Sequence, residues 1–264
     1  MKRRMIIFGT ILLAACGGSK QASNSSVLPA KHLSAQIDGS IQEWGTTDLQ
    51  YDKKLKCVYS IASDENNVYV FVKSLDKAQE MRILDGGMEV WLDTESKGLN
   101  AIGVLFPLPQ GPMAQTERTP LNKTQQKPDE KTAQLQSKLK LVNYNLSGFK
   151  KEWNGNQSVK GNCPVKVAID WDEKNNLVYE LAIPYAALPN EIRAKMDILT
   201  LNIVINGISM PQDDNFRGGP PPGGGGDGDF GGPPPGGGFG GPQGGDMSKM
   251  AEKTEMKVRV KLIG

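Results

Sequence analysis

Met256-Lys257-Val258-Arg259-Val260-Lys261-Leu262 alternates an apolar side chain with a basic one at every step. In an extended strand successive side chains point to opposite faces, so this segment buries one face and wets the other. Wound at 3.6 residues per turn, the same residues would scatter the basic groups around the whole helix, and the helical reading fails. Working back from that strand, short apolar or alternating runs recur between turn clusters: Lys56–Ala62, Val68–Val72, Gly87–Leu92, Ile102–Phe106, Leu139–Leu146, Val165–Ile169, Leu177–Ile183 and Ile198–Ile205. Runs of this length and spacing are the pattern of a sandwich or barrel. The expected fold is all-β, a two-sheet antiparallel β-sandwich, jelly-roll-like, with little helix.

The turns between these runs carry their own chemistry. Ser63-Asp64-Glu65-Asn66-Asn67 and Asp172-Glu173-Lys174-Asn175-Asn176 each separate two β-rich runs. Asn and Asp tolerate left-handed backbone and hydrogen-bond their own main chain, so both segments read as hairpins. Short helical turns are expected at Tyr185–Met196, after Pro184, and at Asp129–Ser137. The polar stretch 107–137, with prolines at 107, 109, 112, 120 and 128, reads as a long surface loop. The segment 218–245 is almost wholly Gly and Pro; it cannot bury a core and is expected to be disordered. It lies before the last strand, so it reads as an insertion within one domain, which loop-closure entropy tolerates.

The N-terminus points to export. Lys2, Arg3 and Arg4 precede an uncharged run from Met5 to Leu13, which ends at Ala14-Ala15-Cys16. This is the pattern of a signal peptide, and the run falls well short of the roughly 20 residues that span a bilayer. Leu13-Ala14-Ala15-Cys16 resembles the lipobox of bacterial lipoproteins, which implies lipidation of Cys16 and attachment to the membrane by several acyl chains. Gly17 after the cysteine favours the outer membrane by the same resemblance. The expected division is a signal peptide at 1–15, a lipidated tether at 16–34, and a single β-sandwich domain at 35–264.

Composition narrows the partners. Of the 31 basic residues three lie in the leader, leaving 28 against 29 acidic ones. A near-neutral chain without a clustered basic face gives no reason to expect a nucleic-acid partner. With Cys16 lipidated, Cys57 and Cys163 remain; an oxidising compartment lets such a pair close. A disulfide between them is expected, with two separately buried thiols as the alternative.

Several segments together resemble a known family. They are Ile37-Asp38-Gly39-Ser40 with Glu43-Trp44, then Tyr59 to Asp64, Val68-Tyr69-Val70, Gly87-Met88-Glu89-Val90-Trp91-Leu92-Asp93, and Tyr179-Glu180-Leu181-Ala182-Ile183-Pro184 with Leu188. In order and spacing these are similar to the family 9 carbohydrate-binding modules and their DOMON-like relatives, over residues 36–206 plus the last strand. The resemblance implies a two-sheet sandwich that the I-D-G…W segment enters, and a sugar gripped between exposed aromatic rings. Trp44 and Trp91 fall in the structural motifs and are expected in the core. Fold carries over from such a resemblance more readily than ligand.

Sugar recognition needs a flat apolar ring to stack on C–H faces, with carboxylates and amides beside it. Trp153, in Lys151-Glu152-Trp153-Asn154-Gly155, and Trp171, between Asp170 and Asp172, both sit in such surroundings. Trp153, Trp171, Tyr144, Asp170 and Asp172 are therefore the expected ligand-binding residues. The Asp residues follow no calcium-loop pattern, and the lone histidine, His32, precedes the first motif; no metal and no cofactor are expected. Gly223, Gly225 and Gly228 match a dinucleotide fingerprint but open no helix, and no hydrolase or zinc-protease motif occurs. Two functions remain: a non-catalytic, envelope-anchored glycan binder, or a structural and interaction lipoprotein that uses the sandwich as scaffold and the Gly/Pro loop to hold a protein partner.

Overall fold

The computed structural model describes residues 27–45, 48–94, 101–109, 129–208 and 250–262. The expected signal peptide, Cys16, most of the tether, most of the 107–137 stretch and the 218–245 insertion lie outside the described residues.

The chain is an all-β sandwich of two sheets. Its strands are β1 (Leu28–Pro29), β2 (Lys31–His32), β3 (Gln50–Asp52), β4 (Cys57–Ser63), β5 (Asn67–Ser74), β6 (Met88–Thr94) and β7 (Ile102–Phe106). They continue with β8 (Asn143–Ser147), β9 (Gly155–Ser158), β10 (Lys166–Trp171), β11 (Leu177–Pro184), β12 (Ile198–Ile205) and β13 (Thr254–Lys261). One sheet has the order β1-β13-β12-β6-β7-β8-β9; the other runs β10-β11-β5-β4-β2, with β3 also paired to β4. Pairing is antiparallel except where the N-terminal strands join: β1 lies parallel to β13 and β2 parallel to β4. Residues 28–32 thus cross from one sheet to the other and tie the two layers together.

The inner faces follow the alternation. Val68, Val70 and Val72 of β5 and Leu177, Tyr179, Leu181 and Ile183 of β11 pack against Val90 and Leu92 of β6, Leu199, Leu201 and Ile203 of β12, and Val258 and Val260 of β13. The opening heptapeptide behaves as its pattern requires: Met256, Val258 and Val260 are buried and Lys257 and Lys261 exposed. β5 and β11 are buried on both faces, which explains their nearly continuous apolar runs. Their outer face carries a second cluster, Trp44, Ala62, Tyr69, Phe71, Val178 and Ala182, covered by Leu33, Ala35, Ile37, Ile41 and Leu49 of the N-terminal segment. Burying Trp44 there contributes on the order of 3 kcal/mol by area.

Both hairpin turns form as their residues dictate. The Asp64 carboxylate accepts the N–H groups of Asn66 and Asn67 at 2.8 and 2.7 Å, and Asp172 accepts those of Lys174 and Asn176 at 2.9 and 2.8 Å.

Helix exceeds the expectation in two places. α1 (Lys77–Gly86) bridges β5 and β6, capped by the Asp76 carboxylate on Gln79 N–H at 3.1 Å and stopped at Gly87, φ 79°. A Cβ at Gly87 would come within 2.5 Å of the Pro107 carbonyl, so only glycine fits that turn. α2 (Glu130–Lys140) starts where expected but runs on through Lys140, so the strand expected at Leu139–Leu146 begins only at Asn143. α3 (Asn190–Arg193) supplies the short turn after Pro184. No described helix is long and apolar enough to cross a membrane.

Cys57 and Cys163 form no disulfide; both are free, buried thiols. The register explains why. Cys57 opens β4 opposite Ser74, at one end of its sheet. Cys163 precedes Lys166, whose row runs through Ala182 and Tyr69 to Ala62 near the other end. Five residues of β4 and three strand spacings separate that row from Cys57, far beyond the about 7 Å between Cα atoms that a disulfide can span. Burial first, and the nearby Asp52 second, push the Cys57 thiol up to about 12.

Candidate functional site

The expected ligand-binding residues divide into three locations. Tyr144 is core: its ring is 1% exposed, packs edge-on to Phe106 at 6.4 Å, and donates its hydroxyl to the Val165 carbonyl at 2.8 Å. It is removed from the set of surface contacts, because a strand residue in the phase of Leu146 faces inward. Trp153 ends a 3-10 turn between β8 and β9, half-buried against the inner core, its carbonyl accepting Gln157 Nε2 at 3.0 Å. Trp171, Asp170 and Asp172 stay together at the end of β10. Trp153 lies beside the other sheet and borders neither cleft at Trp171, so the two rings do not form one grip.

Trp171 borders two clefts. One, of about 590 Å³, runs between β10 and the Asp38–Gln42 segment and includes Lys73, Glu173 and Lys174. The other, of about 670 Å³, lies between α1, α2 and the end of β10. The flanking carboxylates are already engaged. Asp170 pairs with Lys138 at 2.6 Å, and the largely buried Asp172 pairs with Lys73 at 3.1 Å. Burial alone would raise the Asp172 carboxyl; the Asn176 backbone and side-chain amides and Lys73 outweigh it and hold the group below its ordinary range.

Trp91, expected in the core, instead lies half-buried on the outer face of the larger sheet, the face that Glu89 and Asp93 share. Its ring covers Gly103, the residue opposite it on β7: a Cβ there would sit 2.6 and 2.7 Å from ring carbons Cε3 and Cη2. The missing side chain lets the indole lie flat on the sheet, one face down and one turned outward. Nε1 donates to Glu89 Oε2 at 2.8 Å and fixes the ring's rotation. Burial pushes the Glu89 carboxyl up, but Trp91, Asn206 and Lys253 together bring it below the ordinary range.

The register sets polar neighbours around that ring. Asn202 and then Lys257 continue its row on one side, and Ser147 lies beyond Gly103 on the other. Thr200 pairs with Asp93 and with Arg259 one step along. Hydrogen-bond donors and acceptors thus ring a flat aromatic surface, which is what stacking and hydroxyl recognition require. The sequence carried the signal: in Glu89-Val90-Trp91-Leu92-Asp93 the tryptophan falls in the phase of the two acids, not of Val90 and Leu92.

The motif residues Ile37-Asp38-Gly39, Trp44 and Glu180 converge on a structural role. Glu180, fully buried on β11, accepts Trp44 Nε1 at 2.6 Å and the N–H groups of Gly39 and Asp38 at 2.6 and 3.0 Å. Gly39, at φ +86°, lies so close to β10 that a Cβ would meet that of Asp170 at 2.5 Å. Among the described residues no group of three or more His, Cys, Asp or Glu is placed to hold a metal ion. No family model matches this chain, and a comparison with curated proteins finds no relative.

Proposed function

We propose that the protein is a non-catalytic carbohydrate-binding lipoprotein of the bacterial cell envelope, of the family 9 module and DOMON-like type, anchored through Cys16. The saccharide lies on the outer face of the larger sheet, stacked on Trp91. One observation carries the reading: the indole is held flat over Gly103 by Glu89, with polar side chains in register around it. A ring locked before binding loses little conformational entropy when a sugar arrives. The acids and bases around it are mixed, Glu89 and Asp93 beside Lys257 and Arg259, which suits the hydroxyls of a neutral glycan better than a polyanion.

The test is retention of the purified full chain on a panel of insoluble and soluble polysaccharides, with Trp91→Ala beside it. Retention on at least one glycan, weakened about tenfold in the variant while its unfolding midpoint holds, supports the reading. No retention on any glycan, or equal retention of the variant, overturns it.

The second reading, an interaction lipoprotein that displays the Gly/Pro-rich segment to a protein partner, has its own support. The ends of that excursion are fastened: Ile208 N–H donates to the Met250 carbonyl at 2.9 Å. Deleting residues 218–245 separates the two, because glycan retention survives the deletion and partner capture does not.

A further inference from the structure

The groups that fix Trp91 lead to a neck, where residues 205–208 and 250–254 bring together the two ends of the 209–249 excursion. Glu89, which accepts the indole N–H, is itself held from both sides of that neck. Lys253 Nζ donates to Glu89 Oε1 at 3.3 Å, and the Asn206 amide bonds the same carboxylate. The β12–β13 register ends at Ile205 opposite Thr254, so its next step faces Asn206 with Lys253. Asn206 is the firmer support: it is 7% exposed, against 67% for the Lys253 side chain, and an exposed ion pair contributes little alone.

Asn206 is in turn fixed by its backbone. Its N–H donates to the Gly87 carbonyl at 3.1 Å, and its carbonyl accepts Arg82 Nε at 3.2 Å. A guanidinium has five N–H groups. Those of Arg82 go to Asn206, Ile205, Gln79, Thr254 and the Glu252 carbonyl, none to Glu89 or Trp91. Arg82 thus grips both sides of the neck without bonding the ring or its acceptor. Where the two sides meet, Ile208 N–H donates to the Met250 carbonyl, and a Cβ on Gly207 would overlap the Ala251 carbonyl. A continuous path of hydrogen bonds therefore runs from the closed neck through Asn206 and Glu89 to the Trp91 indole.

We propose that this neck regulates the Trp91 platform: closed, it positions Glu89 through Asn206 and Lys253 and so holds the indole flat over Gly103; loosened, it frees the ring and weakens saccharide binding. The inference rests on the reading of Trp91 as the binding surface and adds Asn206, Lys253 and Arg82 as positioning residues that act through Glu89. A freed ring must be ordered again when the sugar stacks on it, and that ordering opposes binding. Linkage makes the effect reciprocal: a partner on the excursion that opens the neck lowers saccharide affinity, and the saccharide opposes opening to the same degree.

The full chain labelled with 15N-tryptophan gives one indole N–H signal for each of its 4 tryptophans, with Trp91 assigned by Trp91→Phe. The proton shift of that signal reports the bond to Glu89 in the folded state, with no glycan present and whatever the global stability. Asn206→Leu, which removes the amide but keeps the bulk, should move the Trp91 signal upfield and leave those of Trp44, Trp153 and Trp171 in place. Arg82→Met should move the same signal in the same direction, although Arg82 bonds neither residue. Lys253→Met, at an exposed site that tolerates change, should move it less, and Lys253→Arg should restore it. On a retained glycan, Asn206→Leu and Arg82→Met should each weaken retention about fivefold. An unmoved Trp91 signal in Asn206→Leu and Lys253→Met, or in Arg82→Met, overturns the proposal. Unmoved signals with wild-type retention intact sink the relay alone, whereas selective movement without retention of the wild type on any glycan sinks the Trp91 reading and the regulation that rests on it.

Discussion

Trp44 Nε1 donates to Glu180 Oε1 at 2.6 Å, and that single bond joins a 3-10 turn of the N-terminal segment to the centre of a β-sheet formed more than a hundred residues later. The other carboxylate oxygen takes two backbone N–H groups from Asp38 and Gly39. Burial pushes the Glu180 carboxyl up, and these three donors oppose it. Glu180→Gln keeps the shape but turns an amide N–H₂ towards N–H donors. The expected loss is about 2–4 kcal/mol in urea unfolding, with faster hydrogen exchange over residues 33–45 before the sheets open. A loss below about 1 kcal/mol would mean that the apolar cover holds without its polar anchor.

Much of this fold was open to reading because most strands show period two and both hairpin turns place Asp at a position that bonds its own backbone. α1 was hidden: Lys77–Gly86 mixes Glu80, Arg82 and Asp85 with few apolar residues, since its buried side chains include charged ones satisfied only by distant chain. β1, β2 and β3 are two or three residues long, too short for any period. The phase of Trp91 with Glu89 and Asp93 sets it on the outer face against what its motif implies, and the phase of Tyr144 with Leu146 sets it in the core. The Glu180 anchor could not be read at all, because pairing residues 38, 39, 44 and 180 requires tertiary structure.

Tyr179 offers an opposite test. Its hydroxyl lies in the core, fully buried and without a hydrogen-bond partner among the described residues, while its ring packs 6.1 Å from Phe106. Removing an unsatisfied buried hydroxyl recovers its desolvation cost and leaves the ring contacts intact. Tyr179→Phe should stabilise the protein by about 1–2 kcal/mol, seen as a higher unfolding midpoint with unchanged denaturant slope. A destabilised variant would show that the hydroxyl has a partner in solution.

Asp172 predicts how one part of the sandwich responds to acid. Its folded-state carboxyl lies below the ordinary range, the net result of burial opposed by Asn176 and Lys73. A depressed acid contributes stability above its unfolded value, about pH 4, and loses it as pH falls through the folded value. The stability difference between wild type and Asp172→Asn should therefore be largest at neutral pH and shrink as pH drops below about 4. A difference that stays constant from neutral pH to pH 2 would assign the cost to the turn's shape, not to its charge.

Arg82 fastens the place where the 209–249 excursion leaves the sandwich. Buried on α1, its guanidinium donates to the Ile205 carbonyl at 3.1 Å and the Asn206 carbonyl at 3.2 Å on one side of the neck. On the other side it reaches the Glu252 carbonyl and Thr254 Oγ1, the latter at 2.9 Å. With Ile208 bonded to Met250, both ends of β12 and β13 are held whatever lies between them. Replacing residues 209–249 by a short Gly-Ser turn should leave the fold intact and raise stability by on the order of 1–2 kcal/mol, through the lower closure entropy of a shorter loop. Arg82→Met removes the donors but retains the bulk, and should cost about 2–4 kcal/mol in either background. If Arg82→Met is harmless in the shortened chain but damaging in the full one, the arginine serves to contain the excursion; equal losses make it a fixture of the sandwich, and that equality is what its contacts to both strand ends require.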